Sequence, residues 1–123
     1  MPRPARAQTE EVTYLLPAAA FLPAFGPWML AQARGYYAQE GLKVNFVVAK
    51  GGVDVAKQVG AGNAQIGGAI GDTPIIARAQ GVPVKAVAVL GGRSLTQLVV
   101  HDGKGINGPK DLKGRTITTM AYQ

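Results

Sequence analysis

No cysteine occurs in the 123 residues, and histidine and serine occur once each, as His101 and Ser94. The first absence excludes a disulfide frame, a thiolate zinc cage, a redox dithiol and cysteine catalysis. Charge is sparse as well, at 16% of residues, and aromatic residues make up 7%. Acidic residues number 7 against 13 basic ones, a formal net charge of +6. Such a balance suits nucleic acid, an anionic membrane or a small anion, and placement decides between them. The basic residues fall singly, at Arg34, Lys43, Lys50, Lys57, Arg78, Lys85 and Arg93. Only Lys104, Lys110, Lys113 and Arg115 approach a cluster, with no aromatic residue among them. A nucleic-acid groove needs a stripe of charge with stacking rings, so no nucleic-acid partner is expected.

Apolar residues reach 47%, enough for a core, while 17 glycines and 8 prolines imply many turns between short elements. The uncharged run over residues 12–33 is long enough to span a membrane, but Pro17, Pro23, Pro27 and Gly26 interrupt it and Glu10 and Glu11 precede it. A secretory leader is the better reading of this end: Arg3 and Arg6 form a basic region, and small-residue cleavage patterns stand at Ala31-Gln32-Ala33 and at Ala5-Arg6-Ala7. The earlier pattern is preferred, which makes residues 1–11 a leader remnant or a disordered N-terminus.

Alternation predicts strands over residues 12–16 and 42–49. Helical spacing of Phe25, Trp28, Met29, Ala33 and Tyr36 predicts a helix over 25–39, weak at Gly35 and stopped by Gly41. A short helix follows over 53–59 and ends at Gly60 and Gly62. Residues 65–70 read as a strand, and Asp72 reads as the N-cap of a helix with Pro74 in its first turn and Gly81 closing it. The apolar run 84–90 has the pattern of a strand covered on both faces in a parallel sheet. Two further strands are expected over 96–101 and 115–120, with a single turn at 109–112 between them. Strands alternating with helices define an α/β fold with a mostly parallel sheet.

Three patterns invite a chemical reading. Gly103-Lys104-Gly105-Ile106-Asn107-Gly108 has the G-x-G-x-x-G form, but no helix opens at the third glycine and no acidic residue follows about 20 positions on, so a glycine-rich turn is expected. Ser94, His101 and Asp102 are the only residues for a hydrolase triad, yet seven residues apart on an extended strand Ser94 and His101 point to opposite faces. His101 is therefore expected at the surface. The third pattern is positional: loops at Ala20 and Phe21, at Gly51 and Gly52, and at Asp72 and Thr73 all follow strands of one parallel sheet, and such sheets bind ligands beyond their carboxyl ends. Arg93 follows the next apolar run and can hold an anion by a bidentate contact. Trp28, Tyr36 and Tyr37 read as packing residues.

Four stretches in order carry a resemblance: residues 25–44, with Arg34-Gly35-Tyr36-Tyr37 and Glu40-Gly41-Leu42-Lys43-Val44; Gly60-Ala61-Gly62-Asn63-Ala64-Gln65-Ile66-Gly67; Ala77-Arg78-Ala79-Gln80-Gly81-Val82-Pro83-Val84; and Asp111-Leu112-Lys113-Gly114-Arg115-Thr116-Ile117. The chain resembles the nitrate/sulfonate/taurine-type substrate-binding proteins of ABC importers, which are related to the thiamine-pyrimidine synthesis proteins. The resemblance implies a type II periplasmic-binding fold of two α/β lobes closing on a ligand, with most of the first lobe in residues 12–95, the crossover strand and the start of the second lobe in 96–123, and the rest of that lobe truncated. It further implies a periplasmic or extracytoplasmic, non-enzymatic component that captures a small anionic or heteroaromatic solute and delivers it to a permease. Ala20, Phe21, Gly51, Gly52, Asp72, Thr73 and Arg93 are then the expected ligand contacts, through backbone N–H groups and a guanidinium, with no cofactor and no metal. Unpaired strands of the incomplete fold are expected to self-associate. A synthase relative, the main rival, is expected to carry histidine-rich and metal-binding features, which His101 alone does not supply. A regulator's sensing domain, a further rival, would be joined to a helix-turn-helix, for which residues 1–11 leave no room.

Overall fold

Alternating side chains in the first two strands place two different sets of apolar groups on the two faces of a small sheet. The computed structural model describes residues 9–92 and 97–118. Strand β1 (Glu10–Leu16) lies at the centre, with β2 (Leu42–Val48) parallel on one side and the short β3 (Ile66–Gly67) parallel on the other. The register sets Tyr14 beside Phe46 and Ile66, and Leu15 beside Val47 and Gly67. Paired residues of parallel strands point to the same face, so Tyr14 and Phe46 share one face and Leu15, Val47 and Gly67 the other.

The Tyr14 face is covered by α1 (Gly26–Ala33) and α2 (Tyr36–Gln39). Between these helices Gly35 adopts φ 71°, a left-handed conformation that glycine adopts at little cost, and this turn divides the expected 25–39 helix in two. A 3-10 turn, Pro23–Phe25, leads into α1. Rings interlock across this layer: Tyr14 and Phe46 centroids lie 5.5 Å apart, Tyr14 and Trp28 6.0 Å, Tyr37 and Phe46 6.1 Å, and Phe25 and Trp28 6.2 Å. The Gln32 amide adds a 3.2 Å hydrogen bond to the Val44 carbonyl, fixing α1 to β2.

The other face is covered by α3 (Gly52–Gly60), whose Val55 packs with Leu15, Ala49 and Ala64. Ala56, on the same helix, packs with Ala77 of α4 (Thr73–Ala79) and with Val84. Gly60 lets the end of α3 approach closely: a methyl group there would press on Val82 and Pro83. The Arg78 guanidinium donates to the Val84 carbonyl at 3.1 Å and holds this segment to α4.

Four expected strands require correction. Residues 84–90 form no strand; after Val84 the run is exposed, with Val87 78% and Val89 82% accessible. A strand needs a hydrogen-bonded neighbour, and β3, two residues long at the sheet edge, has none on its far side among the described residues. Residues 97–101 and 115–118 are likewise outside any sheet, while 96 and 119–120 fall outside the described residues. Residues 65–70 contribute only Ile66 and Gly67 as strand, because Gly68 and the residues after it already belong to the turn into α4.

The chain divides into two units, Met1–Val87 and Ala88–Gln123. The second contains a 3-10 turn, Pro109–Leu112, where the Asp111 carboxylate accepts from the Asn107 and Gly108 N–H groups at 2.8 and 3.1 Å. The G-x-G-x-x-G stretch is a turn region: Gly103 and Gly105 take φ 73° and 66°, and no α-helix opens at the third glycine, which is followed only by the 3-10 turn. His101 is exposed, its Nδ1 lying 2.8 Å from the Asp102 carbonyl oxygen. Among the described residues no helix is long and apolar enough to cross a membrane. The uncharged stretch 12–33 divides into part of β1, a loop, the 3-10 turn and α1.

Candidate functional site

All three strands run parallel, so the segments leaving their carboxyl ends emerge on one edge. After β1 comes Pro17, after β2 the Lys50-Gly51-Gly52 turn, and after β3 the Gly68–Asp72 turn leading into α4. Backbone bonds tie these exits together: Ala49 N–H donates to the Leu16 carbonyl at 2.9 Å, and Gly68 N–H to the Leu15 carbonyl at 2.9 Å.

Glycine at two positions lets the exits touch. A Cβ on Gly52 would lie 3.1 Å from Thr73 Oγ1 and 3.6 Å from Ala69 Cα, so the first residues of α3 and α4 meet with no side chain between them. A Cβ on Gly68 would lie 3.1 Å from the Pro17 ring and 3.2 Å from the Tyr14 hydroxyl oxygen. Gly51 takes φ 126° and ψ 176°, a conformation that L side chains rarely adopt, and this directs the chain from β2 into α3. Thr73 is 1% exposed, the one polar residue in the buried set among the described residues.

Of the residues expected to bind ligand, the structure brings Gly52 and Thr73 into contact, with Gly51 next to Gly52 in the chain. Asp72 occupies the N-cap position of α4 but its side chain makes no capping bond, its backbone is αR, and it is exposed. The capping reading of Asp72 is thereby corrected: the Ile75 and Ile76 N–H groups are taken up by its backbone carbonyl, both at 3.0 Å. The carboxylate that does serve a helix start is Asp54, which accepts from the Lys50 N–H at 3.0 Å across the first turn of α3. Its signal in the sequence was an acidic residue two positions beyond Gly52, in the first turn of the helix. Ala20 and Phe21 are exposed in the loop after β1, with Phe21 58% accessible. Arg93 lies outside the described residues, as does Ser94.

The residue that sequence reasoning missed is Tyr14. It is half-buried among aromatic rings, its hydroxyl reaches Gly68 at the edge, and burial pushes its phenol above the usual value. Its position, two residues before the end of an alternating strand, was the available signal. A separate depression of about 360 Å³ lies at the other end of β2, lined by Thr9, Gln32, Tyr37 and Lys43 among others, and includes none of the expected ligand contacts. Among the described residues no three His, Cys, Asp or Glu side chains gather as a set that could hold a metal ion.

The family model described as NMT1/THI5 like matches residues 22–123. That family includes ABC nitrate/sulfonate-binding proteins and thiamine pyrimidine synthases. The chain is 35% identical over 89% of its length to the 4-amino-5-hydroxymethyl-2-methylpyrimidine phosphate synthase of Schizosaccharomyces pombe, covering 31% of that protein. It is 30% identical over 74% of its length to the synthase of the same name from Uromyces fabae, covering 27% of it, and 28% identical over 77% to that of Legionella pneumophila, covering 30%. No solved structure matches. The chain thus spans about a third of the length of these relatives.

The relatives named belong to the synthase branch, which overturns the expectation of a non-enzymatic, periplasmic solute-binding component of an importer with a permease as partner. The physical reason for the error is one of coverage. Scarcity of histidine and of metal ligands was read from a stretch equal to 31% of the matched synthase, and it does not bear on the other two thirds.

Proposed function

We propose that this chain, which belongs to the NMT1/THI5-like family, is the ligand-binding portion of a pyrimidine-phosphate synthase of the kind its relatives are named for. The observation that carries this reading is the 35% identity to a 4-amino-5-hydroxymethyl-2-methylpyrimidine phosphate synthase over 89% of the chain. The mixed α/β architecture with a parallel sheet is consistent with a periplasmic-binding-like fold. In this proposal residues 12–95 correspond to the first lobe of a type II arrangement and residues 96–123 to the crossover and the start of the second.

The ligand sits at the carboxyl edge of the sheet. Its phosphate lies at the start of α3, where the opening N–H groups of a helix have no intrahelical partner and the helix dipole favours an anion. Gly51 and Gly52 keep that approach free of side chains, and Thr73 flanks it. Ala20, Phe21 and Asp72 border the same edge, and Arg93 is the proposed guanidinium partner of the phosphate on grounds of sequence alone. Lobe closure would then exclude water from these contacts and strengthen them.

The test is product formation in cells that lack their own pyrimidine-phosphate synthase and express the natural gene product containing this chain. Mass spectrometry should detect 4-amino-5-hydroxymethyl-2-methylpyrimidine phosphate, and Gly52→Val should abolish or sharply reduce it. Absence of the product from cells with folded, abundant wild-type protein would overturn the proposal.

A further inference from the structure

The Tyr14 hydroxyl is a hydrogen-bond donor that the fold does not use. The side chain starts mid-strand on the α1 face of the sheet, and its ring is held by Phe46 and Trp28 with centroids 5.5 and 6.0 Å away. Its hydroxyl ends at the carboxyl edge, 3.2 Å from the point where a Gly68 Cβ would lie. Among the described residues no acceptor lies within hydrogen-bonding reach of the phenolic proton, and the neighbouring Trp28 indole N–H can only donate. The Pro17 ring borders the same spot, 3.1 Å from the Gly68 Cβ position.

We propose that Tyr14 is a specificity-determining residue whose hydroxyl donates a hydrogen bond to an uncharged acceptor, such as a ring nitrogen, of a heteroaromatic ligand bound at the carboxyl edge between β1 and β3. This rests on the proposed function and deepens it. The edge is continuous: Gly68 is followed by Ala69, whose Cα lies 3.6 Å from the Cβ position of Gly52, and Gly52 meets Thr73. A phosphate at the α3 start and a ring at Tyr14 thus occupy neighbouring places reached from opposite faces of the sheet. The division of labour follows the chemistry of each. Helix N–H groups suit the anion, and a lone neutral donor in an apolar setting suits a neutral acceptor, because leaving either partner unpaired in a desolvated site is costly.

The experiment is calorimetric titration of the purified protein with 4-amino-5-hydroxymethyl-2-methylpyrimidine phosphate and with benzyl phosphate, which keeps the ring and the phosphate but has no ring acceptor. Wild type should prefer the pyrimidine by about tenfold, the worth of one hydrogen bond in such a site. Tyr14→Phe, which keeps the ring packing, should bind both with the affinity of the weaker and so erase the preference. A general structural weakening would lower both affinities and leave their ratio intact, and a retained ratio in Tyr14→Phe overturns the inference. If Tyr14→Phe shows no cooperative melting transition, Gly68→Ala carries the test, since its Cβ crowds the hydroxyl while Tyr14 remains: loss of the preference supports the inference and an unchanged preference overturns it. Wild type that binds both phosphates equally refutes the role of Tyr14 but not the proposed function. Wild type that binds neither refutes both.

Discussion

Gly67 sits opposite Leu15 in the register of β1 and β3, directly beneath Val55 of α3. A methyl group there would overlap the Val55 side chain and lie 3.1 Å from the Leu15 carbonyl oxygen, so the helix can rest on the sheet only because this position has no side chain. Gly67→Ala should therefore destabilise the protein by about 1–3 kcal/mol through overpacking, measured as a lower denaturant midpoint. A different residue contributes to the acid limb. Glu11 accepts a 2.6 Å bond from Asn45 and pairs with Lys43 at 3.2 Å, and these contacts, Asn45 first, hold its carboxyl below the ordinary value of 4.5. A carboxyl lowered in the folded state contributes stability that is present above 4.5 and lost as pH falls through the folded value. The melting temperature of wild type should thus exceed that of Glu11→Gln at neutral pH, and the gap should close below pH 4.5; a pH-independent gap would contradict this. At this scale the sequence was legible where one residue acts on its own neighbours, as Gly35 does in breaking a helix. It was illegible where space decides, since nothing in the order of residues says that Val55 lies over Gly67 or that the Tyr14 hydroxyl ends at Gly68.

Strand β1, strand β2 and helix α3 follow from alternation and helical spacing because their apolar side chains recur at the strand or helix period, and the covered faces of the sheet give them partners that match. Residues 84–90 satisfy the same pattern for a doubly covered strand and yet pair with nothing among the described residues, since pairing depends on a neighbour that pattern alone does not supply. Amide exchange distinguishes the two cases. Amides of β1 at Tyr14, Leu15 and Leu16, where Leu15 and Leu16 are 7% and 0% exposed, should be the slowest, and those over 85–90 should exchange at close to the rate of unprotected chain. Protection over 85–90 equal to that of β1 would mean that this run has a strand partner in solution. Leu15→Ala, which empties the contact between β1 and α3, should cost about 2–4 kcal/mol and raise exchange across both faces of the sheet together.

For the whole molecule, class and branch differ in what they need. The parallel α/β class is legible because every strand-to-helix step leaves a trace in 10 to 20 residues. The branch within the NMT1/THI5-like family is not, because chemistry is set by a few side chains that a third of an enzyme's length need not contain. Under the proposed function the ligand at the carboxyl edge is what separates the two branches. The most direct measurement is amide chemical-shift mapping of the protein titrated with 4-amino-5-hydroxymethyl-2-methylpyrimidine phosphate, and in parallel with nitrate and taurine. The account predicts saturable shifts at Gly51, Gly52, Gly68 and Thr73 with the pyrimidine phosphate alone, and none at Gln32, Tyr37 or Lys43 around the separate depression. Shifts at that depression instead, or equal shifts at the edge with taurine or nitrate, would contradict it.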